Sequence, residues 1–146
     1  MSKSFYNDDH RKLQDSARKL IDKHVNPYAD EWEKDEIFPA KEVFKAFGDA
    51  GFLGINKPVE YGGQGLDYKY QMAFLEATGH IRASGVAMGI GVQTDCSTPA
   101  LARFGSDQLK STFLKPAISG AKLFNSFKVW INQILFRRNG DMRRSQ

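Results

Sequence analysis

A run of polar side chains at residues 93–98 offers the widest choice of chemistry in this sequence. It reads Gln93-Thr94-Asp95-Cys96-Ser97-Thr98 and so brings together an amide, a carboxyl, a thiol and several hydroxyls. An apolar, small-residue stretch precedes it, and Ala100-Leu101 follows it. Such a run can form the wall of a ligand pocket, where an apolar lining carries a few placed polar groups. Spacing alone favours the simpler interpretation, an exposed helix face or a junction between helices.

The other reactive side chains lack the partners that catalysis or metal binding requires. Cys96 has no basic neighbour in sequence that would favour its thiolate, and the hydroxyls of the polar run have no evident base. The three histidines, His10, His24 and His80, lie in separate helical regions with no partner at metal-ligand spacing, which favours structural or solvated roles. The sequence therefore predicts no catalytic set and no metal site.

A glycine-rich segment at residues 62–65 invites comparison with phosphate-binding loops. A Walker loop continues with Lys-Ser/Thr after its last glycine, but Leu66-Asp67 stand there instead. A dinucleotide fingerprint follows a strand, and no strand pattern precedes this loop. We interpret the segment as a structural turn, since glycine supplies the positive-φ conformations that turns use.

Periodicity and capping residues predict an all-α bundle of about five helices. Asn7 or Asp8 caps the first helix, whose apolar stripe runs to Val25 and ends before Pro27. The second runs from about Lys41 to Ala50. The inward residues of these two helices are predicted to be Leu13, Ala17, Leu20, Ile21, Val25, Val43, Phe44 and Phe47.

The remaining helices are predicted between residues 67 and 116. The third begins near Asp67, and its buried side is predicted to hold Tyr68, Met72 and Leu75. Residues 85–105 form a small-residue helical stretch that contains the polar run. Ser106 caps a short last helix, which Pro116 closes.

Composition indicates an ordinary globular chain of one domain with a tail of different character. Of the 146 residues, 41% are hydrophobic, and the single cysteine permits no internal disulfide. The net charge of +4 comes entirely from the tail beyond Phe124, so it gives no reason to expect nucleic-acid binding. No targeting peptide or membrane span is evident. We predict a helical domain at residues 1–121 and a basic, divergent tail at 122–146, which could form a short amphipathic helix.

The ordered set of segments resembles the acyl-CoA dehydrogenase family over residues 5–121. The matching pieces include Gly48-Asp49-Ala50-Gly51-Phe52-Leu53-Gly54-Ile55, Pro58-Val59-Glu60-Tyr61-Gly62-Gly63-Gln64-Gly65, Gly91-Val92-Gln93-Thr94, Phe104-Gly105-Ser106-Asp107-Gln108 and Leu114-Lys115-Pro116-Ala117. Any one piece is weak, whereas the ordered set is specific to the N-terminal helical domain of that family.

The resemblance implies a function as part of a larger flavoenzyme. Complete members bind flavin adenine dinucleotide (FAD), desaturate acyl-CoA thioesters in fatty-acid or branched-chain acyl-CoA oxidation, form oligomers and pass electrons to an electron-transfer flavoprotein. They work in the mitochondrial matrix or the bacterial cytoplasm. By position in the motif, the wall of the acyl-chain pocket falls here on Gln93, Thr94, Ser97, Thr98 and Leu101. The resemblance assigns no catalytic and no FAD-binding residue to this domain.

The sequence departs from the family after Gly120. Where the family continues into a flavin-binding segment, this chain reads Ala121-Lys122-Leu123-Phe124 and then a tail that looks like a shifted frame or an alternative exon. We therefore expect a truncated isoform that is inactive and does not bind FAD by itself. Two alternatives stay open: an interaction protein that docks on full-length dehydrogenase subunits, and a membrane-surface binder that uses the tail.

Overall fold

The structure is a computed structural model that describes residues 5–123. Within that range every regular element is a helix, so the predicted all-α bundle is confirmed. The α-helices are α1 (Asp8–His24), α2 (Ala29–Asp35), α3 (Ala40–Asp49), α4 (Tyr68–Thr78), α5 (Ser84–Gly91), α6 (Thr98–Phe104), α7 (Asp107–Leu109) and α8 (Lys115–Ile118). Two π-helical segments, Val92–Ser97 and Lys110–Leu114, join α5 to α6 and α7 to α8.

Helix α1 begins with a reciprocal cap. The Asn7 side chain accepts a hydrogen bond from the His10 amide at 3.0 Å, and the Asn7 amide donates to His10 Nδ1 at 3.2 Å. Two of the unpaired amides at the helix start are thereby satisfied. The predicted stripe is confirmed, because Ala17 and Ile21 are fully buried and Val25 closes the helix from inside the core.

Helices α1 and α4 pack against each other, and Glu76 on α4 links them at one end. Tyr6 Oη and Gln14 Nε2 donate to the two carboxylate oxygens of Glu76, at 2.7 and 3.0 Å. This contact joins the start of the chain to α4. The close approach of the two helices suits the small side chains of Ala73 and Ala77, which are fully buried.

The predicted buried face of α4 was wrong. Tyr68 is 58% exposed and Met72 37% exposed, and Leu75 is only half-buried. The buried side instead carries Gln71, Phe74 and the two alanines, because Phe74 packs against Phe47 and Phe52 and Gln71 bonds to Asp95. Periodicity counted on the large apolar residues of this helix therefore selected the wrong stripe.

Three phenylalanines form the centre of the core between α3 and α4. Phe52 and Phe74 stack with ring centroids 5.2 Å apart and an interplanar angle of 5°, and Phe47 meets Phe74 edge to face. The predicted inward residues of α3, Val43, Phe44 and Phe47, are buried, as expected. Aromatic pairs of this geometry stabilise the core beyond the apolar area that they bury.

The sequence predicted that Ser106 begins the last helix and that Pro116 ends it, and only the first prediction is confirmed. Ser106 caps α7 as predicted, since its Oγ accepts a hydrogen bond from the Leu109 amide at 3.3 Å. Pro116 does not close the rod. It lies in the first turn of α8, directly after the π segment Lys110–Leu114, and the helix continues past it to Ile118.

Three further predictions concern a membrane span, a helix in the tail and the domain boundary, and the structure describes only residues 5–123. No helix between residues 5 and 123 combines the length and apolar character needed to cross a bilayer. The predicted amphipathic helix in the tail lies outside the described residues. The proposed boundary between residues 121 and 122 stays a prediction.

Candidate functional site

Residues 93–97 of the polar run lie in the π-helical segment Val92–Ser97, which joins α5 to α6, and Thr98 begins α6. A π turn displaces backbone carbonyls from their usual amide partners. Here side-chain hydroxyls bond to those carbonyls: Thr98 Oγ1 shares its one proton between Gln93 O at 2.8 Å and Thr94 O at 3.2 Å, and Thr94 Oγ1 lies 3.0 Å from Ile90 O. The threonines therefore stabilise the widened turn from within.

Gln93 fastens this turn to the last helical rod. Its side chain is 2% exposed, and Nε2 donates to Ala117 O at 3.1 Å and to Lys122 O at 2.9 Å. Ala117 lies in the last turn of α8, and Lys122 follows that helix. The Gln93 side chain thus fixes the π segment relative to the end of α8.

A buried lysine holds the turn from the opposite side. Lys57 is 2% exposed, and its Nζ donates to Thr94 O at 2.9 Å and to Asn56 Oδ1 at 2.6 Å. Burial lowers the pKa of Lys57, because removal from water disfavours the ammonium form, and Asp95 opposes that shift electrostatically. The glycine-rich loop after α3 is thereby tied to the π segment.

Asp95 extends the same network to α4. Its Oδ2 accepts from Thr94 Oγ1 and from Gln71 Nε2, the latter at 3.0 Å, and Gln71 is itself buried. Three separate parts of the chain therefore meet at the π segment through polar contacts. We call Lys57, Gln71, Thr94 and Asp95 the buried polar network. Buried polar groups that are satisfied in this way specify one arrangement of the elements around them.

The five residues predicted for the acyl-chain wall fall into two groups. Gln93, Thr94 and Thr98 are buried, and their polar side-chain atoms bond to neighbouring protein groups. Ser97 and Leu101 are half-buried, and Ser97 Oγ is itself buried, with no hydrogen-bond partner among the described residues. Of the five residues, only this second pair is partly exposed. The role of all five in a pocket stays a prediction.

Sequence analysis missed Lys57 and the network around it. Lys57 is the only charged residue in the segment from Gly51 to Val59, whose other members are apolar, small or amide-bearing. A charge isolated among residues that form a core is the signal that could have marked it. Its partners could not be read from the sequence, because Thr94 lies 37 positions away.

The glycine-rich loop is a tightly packed turn. A Cβ on Gly63 would lie 2.2 Å from the Lys57 carbonyl oxygen, and one on Gly54 would lie 2.6 Å from Ile118 Cγ2. The amides of Gly62, Gly63 and Gly65 donate to carbonyls of residues 57–59 in the same loop, at 2.9 to 3.0 Å. Those amides are therefore not free to face a phosphate, which agrees with the structural interpretation of the segment.

The histidines and Cys96 are dispersed in the structure. His10 serves the cap of α1, and His80 Nε2 lies 2.9 Å from Asp22 Oδ1 at the surface. Cys96 is exposed and free. Residues 5–123 contain no group of three or more His, Cys, Asp or Glu side chains that could hold a metal ion.

The glycine-rich loop does not offer the donors that flavin adenine dinucleotide needs for its pyrophosphate. Such a ligand needs a groove for two ring systems and donors that face its pyrophosphate. Three open clefts among the described residues measure about 280 to 430 Å³. The amides of the glycine-rich loop, which resembles a phosphate cradle in sequence, are used within the loop.

Comparisons with known proteins agree on one family. The family described as "Acyl-CoA dehydrogenase, N-terminal domain" matches residues 7–121. A 3-(aryl)acrylate reductase of Clostridium sporogenes is 39% identical over 81% of this chain and 31% of its own length. A glutaryl-CoA dehydrogenase of Desulfococcus multivorans is 30% identical over 80% of this chain and 30% of its own. The crystal structure of an acyl-CoA dehydrogenase from Geobacillus kaustophilus superposes with a TM-score of 0.75 at 26% identity, covering 84% of this chain and 31% of that one.

These matches define the class of protein: an all-α domain of the kind found at the start of flavin-dependent dehydrogenases. The chain belongs to the acyl-CoA dehydrogenase family, by its N-terminal domain. It spans about a third of the length of the curated relatives it matches.

Proposed function

We propose that this chain acts as the N-terminal helical domain of a flavin-dependent acyl-CoA dehydrogenase and forms one wall of the acyl-chain pocket. The family match over residues 7–121 carries this proposal. The geometry of the π segment supports it, because Ser97 and Leu101 retain surface while their neighbours hold the turn. We propose an acyl-CoA thioester as the substrate of the complete enzyme.

The contribution of this domain is shape and exclusion of water. In the family reaction, the flavin accepts a hydride from the acyl chain, and a carboxylate removes the neighbouring proton. The residues described here offer neither group in a suitable site. They would pack against the acyl chain and keep water from the reacting carbons, which strengthens electrostatic interactions in the site. We therefore propose that these residues by themselves bind no FAD and oxidise no thioester.

The buried residues of the predicted wall have a supporting role in this proposal. Hydrogen bonds run from the side chains of Gln93, Thr94 and Thr98 to backbone carbonyls. These bonds fix the positions of Ser97 and Leu101. An error of about 1 Å in the position of a wall residue is enough to lower the rate of a well-oriented reaction. The buried polar network around Lys57 fixes the same turn from the other side.

A domain graft tests the proposal. Residues 7–121 would replace the matching stretch of the Desulfococcus glutaryl-CoA dehydrogenase, and reduction of its flavin by acyl-CoA thioesters would be followed by absorbance. We expect the graft to bind flavin and oxidise a thioester, and Ser97→Phe to raise KM at least about tenfold because it fills the pocket. Ser111→Phe, which enlarges an exposed serine on the other π segment, is the matched control and should leave KM unchanged.

Two outcomes would contradict the proposal. One is a graft that fails to bind flavin or that tolerates Ser97→Phe as well as it tolerates Ser111→Phe. The other comes from the isolated 146-residue chain, which serves as the blank. If that chain alone binds FAD and a thioester reduces the bound flavin, the proposal that this domain supplies shape but no redox chemistry is wrong.

A further inference from the structure

A cleft of about 370 Å³ lies between the glycine-rich loop and α6, on the loop side of the buried lysine. Leu66, Pro99 and Ala102 give it apolar walls, and Asn56, Lys57 and Arg103 bring polar side chains to it. Its polar and apolar parts therefore suit a small ligand with a charged end and a hydrocarbon body. None of the five residues assigned to the acyl-chain wall lines this cleft.

The three polar side chains offer hydrogen-bond donors. The Lys57 ammonium has three N–H groups, of which Asn56 Oδ1 and Thr94 O accept two. Because Oδ1 of Asn56 faces Lys57, its amide NH₂ is left as a donor. Arg103 is exposed and makes no hydrogen bond or ion pair within the described residues. Its guanidinium lies 5.4 Å from the centre of the Phe104 ring, which leaves its N–H edges accessible.

The charges around the cleft favour an anion. Its lining includes two cationic side chains and no carboxylate. Asp95 is the acid that acts on Lys57, and its Oδ2 accepts hydrogen bonds from Thr94 and Gln71. An anion in the cleft would lie near the buried charge of Lys57, and electrostatic attraction to a buried charge is screened less than attraction at the open surface.

We propose that this cleft binds an organic oxyanion, a carboxylate or a phosphate attached to a short apolar group. Arg103 would contact the anion in bidentate fashion, which its planar guanidinium suits better than an ammonium does. Asn56 would add one donor, the buried Lys57 would act through its charge, and Leu66 and Pro99 would contact the apolar body. This site is independent of the proposed dehydrogenase function.

Titration of the ¹⁵N-labelled chain with four probes tests the site. Pentanoate supplies a carboxylate with an apolar tail, and pentanamide supplies the same tail without charge. Inorganic phosphate and butyl phosphate separate a bare oxyanion from one with an apolar body. We expect saturable shifts at the amides of Asn56, Lys57 and Arg103 with pentanoate and butyl phosphate, at least about tenfold weaker binding of pentanamide, and weakening by salt.

Variants of two exposed arginines give the decisive comparison. Arg103→Gln should weaken pentanoate binding at least about tenfold, because a charge-assisted bidentate contact is lost. Arg82→Gln, which changes an exposed arginine paired with Asp30, is the matched control and should bind as the wild type does. Both positions are exposed, and thermal unfolding checks that each variant folds.

The outcomes separate clearly. Loss of binding in Arg103→Gln alone supports the site, and tighter binding of butyl phosphate than of inorganic phosphate supports the apolar body. Equal binding of pentanoate and pentanamide, equal loss in the two arginine variants, or shifts confined to amides outside the cleft would overturn it. A failed domain graft would leave this result unaffected, so the two proposals fail separately.

Discussion

At the residue scale, Lys57 is the side chain with the most physical consequence. Burying a charged ammonium is costly unless acceptors replace its water, and here the Thr94 carbonyl and the Asn56 amide oxygen do so. The replacement is incomplete, since burial still lowers the pKa of Lys57. The folded chain therefore holds the Lys57 proton less tightly than the unfolded chain does.

The lowered pKa of Lys57 predicts a rise of stability with pH. Between the lowered pKa and the ordinary value of 10.5, the unfolded chain binds more protons than the folded chain. Stability rises with pH wherever the unfolded state binds more protons, so the free energy of unfolding should increase across that window. Urea denaturation between neutral pH and pH 10.5 measures it, and Lys57→Met should remove this part of the slope.

The control for this prediction is a lysine on the surface. Lys41→Met changes an exposed side chain at the start of α3 and should keep the wild-type dependence of unfolding on pH. If Lys57→Met retains the same slope as Lys41→Met, the ammonium of Lys57 is not desolvated in the folded chain. The test is the difference in slope between the wild type and Lys57→Met, because the raised pKa values of Tyr6 and Tyr61 make stability fall as pH rises through the same range in both proteins.

The residue-level predictions from sequence succeeded where the determinants are local. Asn7 and Ser106 cap helices because a short polar side chain reaches an amide three residues on, which the sequence displays directly. The polarity of residues 93–98 was also evident. The sequence did not show that the Gln93 side chain points inward to carbonyls at the end of α8. Its acceptors, Ala117 and Lys122, are distant in sequence.

At the scale of elements, the loop after α3 depends on glycine for contact as much as for conformation. Gly62 and Gly65 have φ values of 91° and 63°, in the left-handed region that favours glycine. Gly63 has an ordinary φ, but the Lys57 backbone lies against its Cα. The loop can fold back on itself only if that position has no side chain.

A pair of glycine-to-alanine substitutions tests this difference. Gly63→Ala would place a Cβ 2.2 Å from the Lys57 carbonyl oxygen, so backbone must move, and we expect a loss of about 2 kcal/mol or more. In α5, a Cβ on Gly85 meets nothing within 4 Å, and Gly85→Ala should stabilise the chain by about 0.5–1 kcal/mol through helix propensity. Chemical denaturation measures both, and equal effects at the two positions would refute the contact argument.

Element boundaries were easier to predict than element faces. The start of α1, the extent of α3 and the position of α4 follow from caps, glycine and proline, which act within a few residues. The buried face of α4 depends on which helix packs there, and the alanines at that contact give a weak periodic signal. The π segments were not predicted, because they depend on hydroxyls and a lysine that take up displaced carbonyls after folding.

At the scale of the whole molecule, two contacts close the bundle. A Cβ on Gly120 would lie 2.1 Å from the Phe44 carbonyl oxygen, and one on Gly48 would lie 2.4 Å from the backbone of Ser119. The turn after α8 therefore lies directly on α3, near the phenylalanine core. Gln93 binds the same turn from the π segment. The last described residues are thus anchored both to the core and to the candidate site.

The phenylalanine core should set the stability of the whole bundle, and α4 allows a test within one helix. Phe74 is fully buried and contacts Phe47 of α3 and Phe52 of the following loop, so Phe74→Ala leaves a cavity where these parts meet. We expect a loss of about 3–5 kcal/mol in the free energy of unfolding. Met72, two residues earlier, is 37% exposed, and Met72→Ala should cost about 1 kcal/mol or less.

This comparison also decides which face of α4 is the buried one, since a helix packed by its Met72 side would reverse the order of the two losses. Urea titrations of both variants at one pH give the two values. Because stability of a single domain is about 5–15 kcal/mol, Phe74→Ala should bring the chain close to its unfolding threshold, whereas Met72→Ala should not. A loss at Phe74 no greater than that at Met72 would mean that the three rings do not hold α3 and α4 together.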